Sequence, residues 1–192
     1  MTTARITAVI LAGGRSSRFG RDKLVEPIDG RPLLHHAIEA VRPMAAEIIV
    51  VAAPDATPAV PADVRIVHDP VAFQGPLAAA QVGIDAAAHS VVVLVGGDMP
   101  SLVGSVLESM VVALEGFDVV VLEHDGRPRP LPMVVRREPV LASAVRLLDQ
   151  GERRLRALIE GPGTCVIAET TWRLLDPDGA TLRDIDTETD LA

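Results

Sequence analysis

Short runs of aliphatic and β-branched residues alternate with longer stretches of helical character along most of the chain. Five runs read as strands: Ile6–Leu11, Glu47–Ala52, Val64–His68, Ser90–Val95 and Asp118–Leu122. Apart from their polar starts they are nearly unbroken apolar runs, without the polar–apolar alternation of a sheet with one wet face. Such strands are buried on both faces, the environment of a parallel sheet covered by helices. Helices are predicted over Pro32–Val41, with Pro32 suited to a first turn, over Leu77–Ala88 and over Ser101–Glu115. Alternation at this spacing predicts an α/β fold, a three-layer, doubly wound, mostly parallel sheet.

The last third follows a different pattern. Pro128, Pro130 and Pro132 interrupt the chain ahead of Met133–Val135. A helix is expected from Glu138 to Gln150, stopped by Gly151. A shorter one opens at Gly151-Glu152-Arg153-Arg154, ends near Glu160 and is closed by Gly161-Pro162-Gly163. Thr164–Ala168 and Leu182–Ile185 are expected to join the same sheet as strands. With no internal repeat, low-complexity segment or linker, one domain over residues 1–192 is expected.

Composition narrows the function classes. Apolar residues make up 48% and charged residues 23%, enough for a sizeable core and unlike a disordered chain or a coiled coil. A net charge of −8 argues against a nucleic-acid partner. The one cysteine, Cys165, excludes a disulfide framework or thiolate cluster and reads as a buried free thiol. No apolar run approaches the ~20 residues that span a bilayer. Ile6–Leu11 runs straight into Gly13-Gly14-Arg15, which suits a buried strand better than a signal segment. A cytoplasmic protein without a membrane partner is expected. Of the 18 basic residues, Lys23 is the only lysine, and the chain has no asparagine or tyrosine. A lysine that stands against such a substitution bias draws attention.

In an open α/β sheet, ligands bind beyond the carboxyl ends of the strands. The first strand leads into Leu11-Ala12-Gly13-Gly14-Arg15-Ser16-Ser17-Arg18-Phe19-Gly20-Arg21-Asp22-Lys23, a glycine-bearing loop with four cations, Arg15, Arg18, Arg21 and Lys23. Glycines let backbone N–H groups approach phosphate, and the cations offset a triphosphate's charge. The spacing is neither that of a P-loop nor that of a dinucleotide fingerprint. A solvated surface turn is the other reading. Gly96-Gly97-Asp98-Met99-Pro100 follows the fourth strand. Asp98 would suit Mg²⁺ shared with phosphate oxygens, or would cap a helix starting near Ser101. Asp69, after the third strand, is placed either to accept hydrogen bonds from a base or ribose or simply to form a turn. The five histidines, His35, His36, His68, His89 and His124, show no metal-binding spacing, and His35-His36 reads as part of a helix. Arg153, Arg154 and Arg156 flank the helically spaced Leu155, Leu158 and Ile159, so they form either a solvated face or a patch for an acidic substrate.

These motifs, "LAGGRSSRFGRDKL", "GPLAA", "GDMP", "GERRLRALIE" and "RDIDTETDL", resemble in kind and order those of the molybdenum cofactor guanylyltransferases, within the MobA-like nucleotidyltransferases. The resemblance spans nearly the whole chain. It implies a Rossmann-like nucleotidyltransferase fold and a Mg²⁺-dependent transfer of GMP from GTP to molybdopterin cofactor, with release of pyrophosphate. Molybdoenzymes or their chaperones are then the expected protein partners. Carried onto this chain, Leu11, Ala12, Gly13, Gly14, Arg15 and Ser16 would hold the nucleotide, with Gly75, Pro76 and Leu77 of the second motif. Lys23 and Arg18 would act on the phosphates, Asp69 on the nucleoside, and Asp98 on Mg²⁺, with Asp186 as a second metal ligand.

The departures are Ala52 where the family often has asparagine, Ala79 at the end of the second motif, Arg129 at the position of a His-Pro histidine, and the aspartates of Asp184-Ile185-Asp186-Thr187 in place of asparagines. The last is also the ending of related cytidylyltransferases. A cytidylyl or other nucleotidyl transfer to molybdopterin or a phosphorylated metabolite therefore stays open, as does a catalytically weakened nucleotide-binding module. "DK" and "DMP" favour the guanylyl type.

Overall fold

The computed structural model describes residues 5–13, 23–69, 75–185, 187 and 190. The chain order is β1 (Ile6–Leu11), β2 (Pro27–Ile28), β3 (Arg31–Pro32), α1 (Leu33–Val41), β4 (Glu47–Ala52), β5 (Arg65–His68), α2 (Pro76–Ala86) and β6 (Val91–Gly96). There follow α3 (Gly104–Ala113), β7 (Val119–His124), β8 (Arg127–Arg136), α4 (Arg137–Asp149), β9 (Thr164–Ile167) and α5 (Glu169–Trp172). Short 3₁₀ turns occupy Lys23–Val25, Leu155–Ile159 and Ala180–Leu182.

Among the described residues, seven strands form one sheet in the order β5-β4-β1-β6-β8-β7-β9. All neighbours pair in parallel except β8, which runs antiparallel to both β6 and β7. Strand side chains alternate between two apolar layers, as the pleat requires. Ala8, Ile10, Val50, Val93 and Val95 pack with α1, α3 and Trp172. Val9, Ile49, Val51, Val92 and Leu94 pack with α2, α4 and the Leu155–Ile159 turn. The three-layer α/β arrangement is thus borne out. α2 approaches the sheet through Gly83, where an added Cβ would lie 2.3 Å from Val9 Cγ1.

Three expectations change. The proline-rich stretch is not an interruption but the first half of β8. Pro128 pairs only with β7, opposite Glu123, while Pro130 and Pro132 fall in the residues where the β7–β8 register jumps from Val121↔Met133 to Leu122↔Arg129. Prolines lack the N–H that a two-sided ladder needs, and here the ladder does not ask for it. Leu182–Ile185 is not a strand: Leu182 closes the Ala180–Leu182 3₁₀ turn, and Ile185 N–H donates to Asp98 O in the turn beyond β6 rather than along a strand. Cys165 is free but only half-buried. No helix among the described residues is long and apolar enough to cross a membrane.

Candidate active site

The chain builds β4 and β5 on one side of β1 and then returns to place β6 on the other. Ligand crevices form at such reversals, beyond the strand ends. Register brings the ends level: Leu11 pairs with Val51 and Gly96, and Ala52 with His68. Ala12 N–H donates to Val51 O at 2.9 Å, Gly97 N–H to Leu11 O at 3.0 Å, and Asp69 N–H to Ala52 O at 3.0 Å. Of the residues assigned above to a nucleotide, Ala12 through its N–H and Leu11 through its C=O are therefore engaged within the sheet. Gly13 is the first residue beyond the ladder, facing the Ala52–Ala53 peptide.

Lys23 and Asp98, 75 positions apart in the chain, meet at this edge. Lys23 Nζ lies 2.8 Å from Asp98 Oδ2 and donates to Ile185 O at 2.8 Å. Their side chains are 16% and 28% exposed. Ile185 N–H donates in turn to Asp98 O at 2.9 Å, so the closing segment is fastened to the turn after β6. Two glycines make that turn possible. A Cβ at Gly96 would lie 2.3 Å from Asp98 Oδ1, and one at Gly97 would crowd Leu24, Leu34 and Leu11 O at 3.2–3.3 Å. α3 begins at Gly104 after Val103, with no side-chain cap. Asp98 is therefore not a helix cap, and its carboxylate is directed to a cation.

Asp69 stands half-buried at the end of β5. Gly75 adopts φ +98° before α2, where an added Cβ would lie 2.8 Å from Arg153 O; that carbonyl accepts the Leu77 N–H at 3.2 Å. The Gly75-Pro76 corner is thus held by the backbone of the Arg153 segment. Leu77 is fully buried, so its side chain is a core element rather than a ligand contact. Arg154 is engaged by Glu152, with Nη2 at 2.6 Å from Oε2; the Arg154 side chain and the Arg154 and Arg153 N–H groups hold the Glu152 carboxyl down to about 2. Leu155, Leu158 and Ile159 are buried, which leaves Arg153, Arg154 and Arg156 on the exposed face. Gly14, Arg15, Ser16, Arg18 and Asp186 lie outside the described residues.

Two residues not assigned a role from the sequence also belong here. Arg129 and Asp184 line a cavity of about 170 Å³ with Asp98, Met99, Leu131 and Leu182. Asp184 was visible as part of the closing motif; Arg129 was visible only as a departure from a family pattern.

A separate cluster sits at the β7–β8 turn, where ligand atoms of His124, Asp125 and Glu169 lie within 4.8 Å of one another. Tertiary structure assembles it, so no spacing betrayed it. Glu169 accepts from Arg173 Nε at 2.8 Å and Asp125 N–H at 2.9 Å, with His124 Nδ1 at 3.1 Å. Arg173 first, then the Asp125 N–H, hold its carboxyl down to about 2. A guanidinium already on the same oxygen makes this a clamp between the turn and α5.

Comparison with known proteins places this geometry. Residues 8–166 match the model of the MobA-like NTP transferase domain. The chain belongs to this family. As a MobA-like NTP transferase it is an enzyme of the nucleotidyltransferase class. A relative from Mycobacterium avium (strain 104), named "Probable molybdenum cofactor guanylyltransferase", is 33% identical over 97% of this chain and 93% of its own length. Among solved structures, molybdopterin-guanine dinucleotide biosynthesis protein A of Archaeoglobus fulgidus is similar with a TM-score of 0.79 and 20% identity, covering 96% of this chain and 94% of that one. The 2-C-methyl-D-erythritol 4-phosphate cytidylyltransferase of Thermus thermophilus is similar with a TM-score of 0.73 and 17% identity, covering 97% and 95%. The fold is therefore shared by a protein named for molybdopterin-guanine dinucleotide biosynthesis and one named as a cytidylyltransferase, and does not by itself choose the base.

Proposed function

We propose that this MobA-like transferase moves GMP from GTP to the terminal phosphate of molybdopterin cofactor, releasing pyrophosphate, with Mg²⁺ as its metal. The observation that carries the reading is the Lys23–Asp98 pair at the reversal of strand order, 2.8 Å apart on the edge that holds Gly13 and Asp69. The names of its relatives supply the acceptor and favour guanine.

The acceptor phosphate is ionised at neutral pH, so no side chain has to remove a proton. One of its oxygens bonds to the α-phosphorus of GTP. The bond from that phosphorus to the bridging oxygen breaks, and the electron pair leaves with pyrophosphate. The obstacle is the approach of two anions and the charge on the leaving group, so the protein's contribution is positioning and electrostatics. Lys23 meets phosphate oxygens, the loop arginines Arg15 and Arg18 add positive charge against the triphosphate, and Gly13 and Asp69 hold the nucleotide.

The donor set suits a hard divalent cation. Asp98 and Asp184 line one cavity, all their donors are oxygen, and the Asp98 carboxylate already accepts one cationic group. Mg²⁺ held there, with Asp186 as a further ligand, would withdraw charge from the phosphates. Cytidylyl transfer is the second reading, favoured by the Asp184-Ile185-Asp186-Thr187 ending. Pyrophosphate release measured with GTP and with CTP, each with and without molybdopterin cofactor, tests both. Acceptor-dependent release with GTP is expected; preference for CTP, or release indifferent to the acceptor, would reject the guanylyl assignment.

A further inference from the structure

The cavity beside Asp98 lies where β8 parts from β6 while staying paired with β7. β6 pairs with β8 only as far as Leu94↔Met133, so Val95 and Gly96 have no β8 partner. On the other side, residues 130–132 are skipped in the pairing with β7, and Arg129 re-enters it opposite Leu122. A bulge of this kind re-aims side chains at the rim of a sheet. Here it brings Arg129 to a cavity that Asp98 also lines.

Arg129 is half-buried, and its guanidinium makes no hydrogen bond or ion pair with any described residue. Other arginines of the rim and helices are engaged: Arg136 with Phe117 O, Arg137 with Ile84 O, Arg154 with Glu152 and Arg173 with Glu169. Of the two acids that line the cavity, Asp98 is committed to Lys23. A half-desolvated guanidinium with no partner among the described residues costs free energy, which an anionic ligand recovers, and its planar fork matches phosphate oxygens.

Position decides which phosphate. Gly13 and Asp69 lie on the β1 and β5 side of Asp98, whereas Arg129 lies on the β8 side. In phosphoryl transfer, attacking and leaving oxygens stand roughly in line, on opposite sides of the reacting phosphorus. With the nucleotide's phosphates on the Lys23 loop, the attacking group comes from the other side. We propose that Arg129 is the acceptor-binding residue, holding the phosphate monoester of the acceptor through its guanidinium. This assignment rests on the nucleotidyl-transfer reading above.

The test compares wild type with Arg129→Gln, Arg129→Lys and the exposed control Arg127→Gln. Pyrophosphate release is followed while molybdopterin cofactor and GTP are varied separately. Arg129→Gln is expected to raise the acceptor KM about 10- to 100-fold, the range of a charge-assisted contact. The GTP KM should stay within about twofold, with partial rescue in Arg129→Lys. A rise in the GTP KM instead, or an unchanged acceptor KM in an active enzyme, overturns the proposal. Wild type inactive with this acceptor would refute the function above, not the site. A ³¹P NMR titration with methyl phosphate then decides: weaker binding in Arg129→Gln than in Arg127→Gln upholds the site, and equal binding removes it.

Discussion

Replacing Lys23 by alanine removes two contacts at once. The Asp98 carboxylate, 28% exposed, loses an ammonium at 2.8 Å, and Ile185 O loses its donor. Breaking a fully buried pair costs about 3–5 kcal/mol and an exposed one about 0–1 kcal/mol. With side chains at 16% and 28% exposure, solvent screening brings the expectation to about 2 kcal/mol, a fall in Tm of about 4–8 °C for a chain of this size. The expected loss of turnover is larger. Losing one charged donor aimed at the transition state costs about 2.7–4 kcal/mol, or ~10²–10³ in kcat. Thermal unfolding and pyrophosphate release at 25 °C, where the variant remains folded, separate the two effects. Lys23→Arg, which keeps the charge, should recover most of the stability and less of the rate. Turnover of Lys23→Ala within threefold of wild type would refute the role of this lysine, whatever happened to Tm.

Further substitutions probe the frame around the site. Gly83→Ala inserts a methyl 2.3 Å from the buried Val9 Cγ1 and 2.9 Å from Val51 Cγ2. Overpacking of about 1–3 kcal/mol should outweigh the helix-propensity gain of about 1 kcal/mol, so urea unfolding should show a net loss while turnover per folded molecule persists. Asp176→Ala strips a buried carboxylate from the Thr181 and Ala180 N–H groups at 2.7 and 3.0 Å, and calorimetry should register about 2 kcal/mol of destabilisation. Glu169, drawn down from 4.5 to about 2 chiefly by Arg173, contributes stability that is present in full above about pH 4.5 and fades as pH falls toward 2. The stability difference between wild type and Glu169→Gln should therefore shrink across that window; a difference independent of pH would remove the clamp.

The central strands and the edge they share were legible because Ile6–Leu11, Glu47–Ala52 and Val91–Gly96 are long β-branched runs, and burial on both faces needs little else. β8 was not, since Pro128, Pro130 and Pro132 speak against a strand lying between two others; only the register jump at Leu122 and the early end of the β6 pairing make them tolerable. Leu182–Ile185 carries strand-like residues, but Leu182 is spent in a 3₁₀ turn and Ile185 bonds to the Asp98 turn beyond the end of β6. Lys23 and Asp98 stood out individually. Their contact, and the cavity that joins Asp98 with Arg129 and Asp184, depend on tertiary packing that no local pattern encodes.

The most direct measurement is a crystal structure with GTP and Mg²⁺ bound. The triphosphate is expected against Gly13 and Lys23, with the metal between it and the Asp98 carboxylate. Nucleotide bound elsewhere, or Asp98 still joined to Lys23 with the strand edge unfilled, would contradict it.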